Sequence, residues 1–337
     1  MKIAILTHPL ISNYGGILQA YALSTYLKRQ GHDVVVLNRQ SNLPLLLRLI
    51  KSILVALRHP RYYNPKYRYL AKFIKDNICY SAPLSTSGQM SSFIKKNQID
   101  AVIVGSDQVW RHSFAMGYNY NYFLDFVPNE IKKLSYAASF GLSTWNYTQE
   151  QTSIIRQLIK RFSAISVRED EGAILCNNYL QTQATHVLDP TLLLNAEDYD
   201  NITSPRIVKN NYIFVYWLGS EADKEIVLSK ITDRQHTIID ISLRGNRTLV
   251  PVEDWLSYIK YADYVVTDSF HGCVFSIIFQ KQFRLSSNDS GGNGRLMSLF
   301  RMLNVNQTSG HIDYQDVNEK LACWRSISYN YINKALQ

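Results

Sequence analysis

Short, wholly apolar runs alternate with longer stretches whose apolar residues recur at helical spacing, the pattern of strands joined by helices. Residues 3–7 read as a buried strand, followed by a loop through Ser12-Asn13-Tyr14-Gly15-Gly16. A helix is predicted over 17–29, with Leu18, Ala22 and Leu27 at helical spacing and Gly31 just past its end as a cap. Further strands are predicted at 34–37, 101–104, 133–139 and 164–167, each a short apolar run bounded by small or polar residues. Strands separated by helices imply a parallel sheet with right-handed crossovers.

Asp189-Pro190 interrupts the pattern, and then it begins again. Strands are predicted at 212–218, 237–241 and 264–267, and helices at 252–261, 273–279 and 317–336. The expected fold is α/β, with two doubly wound Rossmann-like domains facing a cleft. Residues 1–190 form the first, 191–316 the second, and 317–337 a C-terminal helix packing back across the cleft. This is the architecture of the B-type glycosyltransferases. The sequence shows no repeat and no low-complexity tract.

Composition narrows the class. With 337 residues, 46% of them hydrophobic and 19% charged, two full cores can be buried, and an ordered chain is expected. No run of roughly 18 uncharged apolar residues is present, so no membrane-spanning helix is expected. The opening Met1-Lys2-Ile3-Ala4 reads as a first strand rather than a secretory leader. Cys79, Cys176, Cys273 and Cys323 are scattered, which argues against a zinc site or a disulfide framework and fits a reducing cytoplasm. The net charge of +9 is local: between Ser41 and Lys75 lie Arg48, Lys51, Arg58, Arg61, Lys66, Arg68, Lys72 and Lys75, with no acid. The stretch 43–58, opening at Leu43, has Arg48, Lys51 and Arg58 near one helical face and leucines elsewhere. It reads either as an interfacial helix meeting anionic lipid or as an ordinary buried helix. No nucleic-acid module accompanies it.

Open parallel sheets bind ligands at the carboxyl ends of their strands. Polar clusters fall at such ends: Asn13 to Gly16, Gly105 to Gln108, Arg168 to Asp170, and Asp268 to Gly272. His271 follows a strand and opens a helix, where backbone N–H groups favour an anion and an imidazole can deliver a proton. The bland alternative is a capping or core histidine. Arg168 suits bidentate binding of carboxylate or phosphate, or else pairs with Glu169 or Asp170. Gly15 and Gly16 let backbone approach a ligand, or merely turn the chain. Asp107 can accept a proton from a hydroxyl or cap a helix. Lys281, Arg284 and Arg295 can neutralise an anion or decorate the surface. Asp189 reads as structural, fixing the turn between the two blocks.

Together, Asn13-Tyr14-Gly15-Gly16-Ile17-Leu18-Gln19-Ala20-Tyr21-Ala22-Leu23, Val104-Gly105-Ser106-Asp107-Gln108-Val109-Trp110, Ser166-Val167-Arg168-Glu169-Asp170, Leu188-Asp189-Pro190-Thr191-Leu192-Leu193 and Asp268-Ser269-Phe270-His271-Gly272 resemble the signatures of the polysaccharide pyruvyl transferase family. They occur in family order from residue 1 to about 305. The resemblance implies transfer of a pyruvyl group from phosphoenolpyruvate to two hydroxyls of a cell-surface polysaccharide sugar or its precursor, forming a ketal and releasing phosphate. His271 matches the family's catalytic histidine, and Asp107 or the deprotonated His271 would serve as base. The donor side would comprise Arg168, Ser269, Gly272, Lys281, Arg295 and Arg244 in the second block's reach. The acceptor side would comprise Asn13, Tyr14, Gly15, Gly16 and Gln108. No metal or further cofactor is implied. Some members carry an arginine two residues before the histidine, where this chain has Ser269. A cytoplasmic enzyme is expected, peripheral at the inner membrane face if the acceptor is lipid-linked.

Two other readings fit the same architecture. One is a nucleotide-sugar glycosyltransferase, with Glu253 or Asp254 pressed into ribose binding. The other is a non-catalytic sugar-binding partner in polysaccharide assembly.

Overall fold

The computed structural model describes residues 1–40, 67–229, 236–242, 249–285, 293–306 and 311–337. The basic stretch 43–58 and Arg244 lie outside the described residues.

Strands β1 (Lys2–Leu6), β2 (Asp33–Val36), β3 (Ala101–Val104) and β4 (Lys132–Ser135) form a parallel sheet in the order β2-β1-β3-β4. Isolated bridges Leu134↔Ala164 and Ala138↔Val167 carry it toward a parallel pair, β5 (Ser166–Val167) and β6 (Thr185–His186). Ile3 to Leu6 and Ala101 to Val104 are fully buried, as strands covered on both faces must be. A second parallel sheet is built from β7 (Tyr212–Tyr216), β8 (Thr237–Asp240), β9 (Tyr264–Thr267) and β10 (Phe283–Arg284), in the order β10-β9-β7-β8. Within each sheet every carboxyl end therefore opens on the same edge.

Two helices begin earlier than their apolar periodicity suggests. Helix α1 (Tyr14–Arg29) is capped by Asn13, whose side chain accepts from Gly16 N at 3.3 Å. The expected loop at Tyr14-Gly15-Gly16 is thus the helix's first turn. Gly31 ends the segment with φ 83°. Likewise helix α2 (Phe270–Ile278) is capped by Ser269, whose hydroxyl accepts from Gly272 N at 3.3 Å. His271, expected to open the helix, is a residue of its first turn.

The two sheets share packing. Tyr14 stacks on Trp255 with ring centroids 5.2 Å apart, and its hydroxyl donates to the Val250 carbonyl at 2.9 Å. One apolar cluster runs from Ile3 and Ile17 to Trp255 and Phe275. The last helix, α3 (Tyr314–Leu336), crosses back to the first half: Tyr331 donates to the Ser135 carbonyl at 2.8 Å, and Leu188 N donates to Ser328 Oγ at 3.0 Å. Among the described residues, no helix is long and apolar enough to cross a membrane.

Candidate active site

β5 delivers Arg168 into a fully enclosed position, its side chain 1% exposed. Burying a guanidinium is costly unless it is paired, and this one meets three carboxylates. Nε donates to Glu169 Oε1 at 3.0 Å, Nη1 donates to Asp189 Oδ2 at 3.0 Å, and Nη2 lies 3.9 Å from Asp107 Oδ1. Burial disfavours the charged guanidinium, but Glu169, Asp189 and Asp107 outweigh it and raise the pKa further.

Asp189 is the hub of this cluster. Oδ1 accepts from Thr191 N at 3.0 Å and Thr191 Oγ1 at 2.7 Å, capping the turn at Pro190–Leu193. Oδ2 accepts from Arg168 and, at 3.0 Å, from Ser106 Oγ, and it stands 3.6 Å from His271 Nε2. Burial alone would push its pKa up, but His271, Arg168 and Thr191 hold it well below the carboxylate range. The turn-fixing role expected from the sequence is real, yet the other carboxylate oxygen belongs to the site.

His271 is brought in by α2 and rests directly on α1. A Cβ at Gly15 would fall inside the imidazole, on Nδ1 and Cγ, so only glycine allows this approach. Beside it, the Arg168 guanidinium lies 4.4 Å from the Phe270 ring centroid, and that of Arg295 lies 6.0 Å from the same ring. His271 Nε2, Arg168 Nη2 and Arg295 Nε are buried without a hydrogen-bond partner. Such atoms call for an explanation, and three nitrogens around one ring suit an anionic ligand. The Arg295 pKa is lowered by burial and by Arg168.

Asp107 closes the first-half side. It holds φ 81°, a left-handed backbone rare for a non-glycine residue, and so is no helix cap. Gln108 N donates to its Oδ1 at 2.9 Å. Burial pulls its pKa up, but Arg168, His8 and His271 pull it below the ordinary value. His8, just past β1, is a site residue that the sequence reading passed over. Its Nδ1 is 3.3 Å from Tyr122 Oη, and its buried Nε2 has no hydrogen-bond partner. The available signal was its position at a central strand's carboxyl end.

Other expected site residues have different work. Tyr14 is buried, with its hydroxyl committed to Val250, so it joins the two halves and is not free to meet an acceptor. Asn13 is exposed and caps α1. A Cβ at Gly16 would sit 3.6 Å from Asp107 Oδ2, an ordinary contact, so no close approach demands a glycine there. Gln108 Oε1 accepts from Arg111 Nη1 at 2.8 Å at the rim of the site. Ser269 is the α2 cap, and Gly272 lets that helix lie on Thr267, whose Cβ would be 3.0 Å from an added Cβ. Lys281 is not brought to the cluster. It follows the far end of α2, about 13 Å of helix away from His271's turn, and its charged neighbours are Asp263, Arg206 and Lys260.

A family model described as polysaccharide pyruvyl transferase matches residues 13–290. No curated protein matches the chain in sequence. In three dimensions it is similar to UDP-GlcNAc 2-epimerase from Methanocaldococcus jannaschii (TM-score 0.54, 13% identity, covering 96% of this chain and 93% of that one). It is also similar to a glycosyltransferase from Rickettsia africae (TM-score 0.51, 11% identity, 98% of each chain). A third similar structure is the Neisseria meningitidis UDP-GlcNAc 2-epimerase bound to UDP-GlcNAc (TM-score 0.52, 10% identity, 96% of this chain and 91% of that one). At such identities the likeness shows the fold alone: two Rossmann-like halves arranged as in the B-type glycosyltransferases.

Proposed function

The chain belongs to the polysaccharide pyruvyl transferase family, and from that premise we propose that it moves the pyruvyl group of phosphoenolpyruvate onto two hydroxyls of a sugar. The observation that carries this reading is His271 seated on Gly15, 3.6 Å from Asp189, with unpartnered Arg168 and Arg295 nitrogens beside it. An enol ether becomes electrophilic when its methylene carbon is protonated, so an acid must stand next to cations that hold a phosphate and a carboxylate.

In this scheme protonated His271 gives its proton to the methylene carbon, and Asp189 balances the imidazolium charge. The first hydroxyl then bonds to the central carbon, and the now neutral His271 takes the hydroxyl proton. Asp107, with its lowered pKa, accepts a hydrogen bond from the hydroxyl more readily than a proton. His271 next protonates the bridging oxygen, the carbon–oxygen bond breaks and phosphate leaves. The second hydroxyl closes the ketal and its proton returns to His271. One hydroxyl proton ends in the new methyl group and the other on phosphate, so the atoms balance.

A second feature favours a small donor over a nucleotide sugar. The Asp268 carboxylate accepts from Leu218 N at 2.7 Å and Gly219 N at 2.5 Å. These amides precede the helix Glu221–Ser229, the βα turn where a doubly wound sheet commonly holds a diphosphate. An internal anion already occupies it. Asp254, the ribose candidate of the rival reading, accepts instead from Ser204 Oγ at 2.6 Å.

The test is phosphate release from phosphoenolpyruvate against a panel of nitrophenyl and lipid-linked sugars, with the ketal identified by NMR. Release that requires the sugar supports the reading. Binding of UDP-sugars with no release from phosphoenolpyruvate overturns it.

A further inference from the structure

Helix α4 (Asn293–Leu303) presents residues 295, 298 and 301 at intervals of three, along one face. Arg295 is the residue beside Phe270. Arg301 faces a helix of the other half, α5 (Asp170–Leu175), which starts directly after Arg168-Glu169. Arg301 Nη2 donates to both Asp170 oxygens at 2.9 Å and to Glu171 Oε1 at 2.8 Å, and Nε donates to Asp170 Oδ2 at 3.2 Å. Between the two arginines, Ser298 Oγ accepts from Asp170 N at 3.1 Å. His186 Nε2 reaches the Arg168 carbonyl at 3.1 Å and Ser298 Oγ at 3.5 Å. Residues 298 and 301 of this stripe are thus fastened to the segment that bears Arg168, with Arg295 one turn further on.

This fastening has an electrostatic consequence. Both guanidiniums flank the Phe270 ring, 4.4 and 6.0 Å from its centroid, so in this buried setting the two like charges oppose each other, offset in part by Glu169 and Asp107. An anion between them removes the conflict. Arg301 and Asp170 are themselves about half exposed, at 51% and 43% of side-chain area, so their pairing is responsive to salt and adds little to stability alone.

We propose that Asp170, Glu171 and Arg301 form a clamp that positions Arg295 against Arg168, so that the two guanidiniums share the phosphate of the donor. Arg301 is a positioning residue acting through Arg295. By linkage, a bound phosphate tightens the clamp as much as the clamp tightens phosphate. Naming the donor rests on the pyruvyl-transfer reading; the clamp itself does not.

The experiment measures binding of inorganic phosphate and phosphoenolpyruvate by calorimetry, and steady-state kinetics, in Arg301→Gln, Asp170→Asn, Arg295→Gln and the exchanged pair Asp170→Arg/Arg301→Asp. Arg301→Gln and Asp170→Asn should weaken phosphate binding and raise the donor KM about five- to tenfold, the low end of the coupling between linked sites. Saturated kcat and acceptor KM should stay within about twofold, since the clamp strengthens donor binding equally in the ground and transition states. The exchanged pair should recover most of the loss. In an Arg295→Gln background, Arg301→Gln should add nothing further. Unchanged phosphate affinity in the single variants, or losses at 295 and 301 that simply add, overturns the clamp. A wild type that binds phosphate in a clamp-dependent way but never consumes phosphoenolpyruvate supports the clamp and overturns pyruvyl transfer.

Discussion

At the scale of single residues, two positions differ in how much of their effect falls on catalysis and how much on stability. Gly15 touches the imidazole of His271 with no room for a methyl group, while lying in the first turn of α1, where alanine is otherwise favoured. Gly15→Ala should lower kcat about a hundredfold, the usual cost of displacing a catalytic group by an ångström, while its overpacking cost of about 1–3 kcal/mol is offset in part by alanine's helix propensity, so activity falls far more than the melting point. Kinetics beside a melting curve check this; a variant with full activity contradicts the placement of His271. Asp189, which serves the site as well, carries a large share of stability. Its pKa lies below the ordinary 3.8, so the fold favours its charged form. That contribution is complete above the unfolded value and disappears as pH falls through the folded one. Asp189→Asn should therefore lower stability at pH 7 by about 3 kcal/mol, the low end for breaking a buried pair, because Arg168 keeps Glu169. It should also flatten the decline of the melting temperature below about pH 4, the reference carboxylate range. An acid limb as steep as the wild type's contradicts the assignment. Asp189's turn-fixing role was legible in sequence, but its place in the site was not, and His8 had only its position at a strand's end to mark it. Asp189 meets Ser106 across 83 positions and Arg168 across 21, and no local pattern encodes such meetings. Lys281 misled for a related reason: a charge in a sequence has no direction, and the far end of a helix looks as near as its start.

Among the elements, the strands were the most readable part, because a strand covered on both faces must be apolar throughout. The runs at 101–104 and 264–267 match β3 and β9 residue for residue. Helix starts were misjudged because Asn13 and Ser269 cap helices whose first turns are polar or glycine-rich, where apolar periodicity is silent. The start of α2 matters most, since it sets His271. Gly272→Ala would press a methyl group onto Thr267 and should destabilise the protein by about 1–3 kcal/mol, as overpacking does. Activity should fall with it, because the helix N-terminus must lift from β9. Chemical denaturation beside kinetics tests this; unchanged stability would show that the helix is not seated on the strand.

For the whole molecule, the two halves are joined by Tyr14, by the α4–α5 fastening and by α3. The last helix ties both: Tyr331 Oη donates to the Ser135 carbonyl of the first half at 2.8 Å, while in the second half Tyr314 Oη donates to the Ser276 carbonyl at 3.3 Å and Arg325 donates to the carbonyls of Leu192 at 2.7 Å and Leu194 at 2.8 Å. Arg325→Met leaves those two carbonyls without this donor and should cost about 1–3 kcal/mol. The calorimetric transition should remain single, since Tyr14 still couples the halves; two separate transitions would contradict that coupling. The doubled strand–helix pattern made this architecture legible, whereas the tie across the halves depends on side chains far apart in sequence.

The central claim is that His271 protonates the methylene carbon of phosphoenolpyruvate between the two halves. Its most direct test is to incubate donor and sugar acceptor in D₂O with the wild type and with His271→Asn, and to weigh the product. The account predicts a pyruvate ketal with one deuterium in its methyl group, and no ketal from the variant. Phosphoenolpyruvate left intact by the wild type, or a deuterated ketal formed equally well without His271, would contradict it.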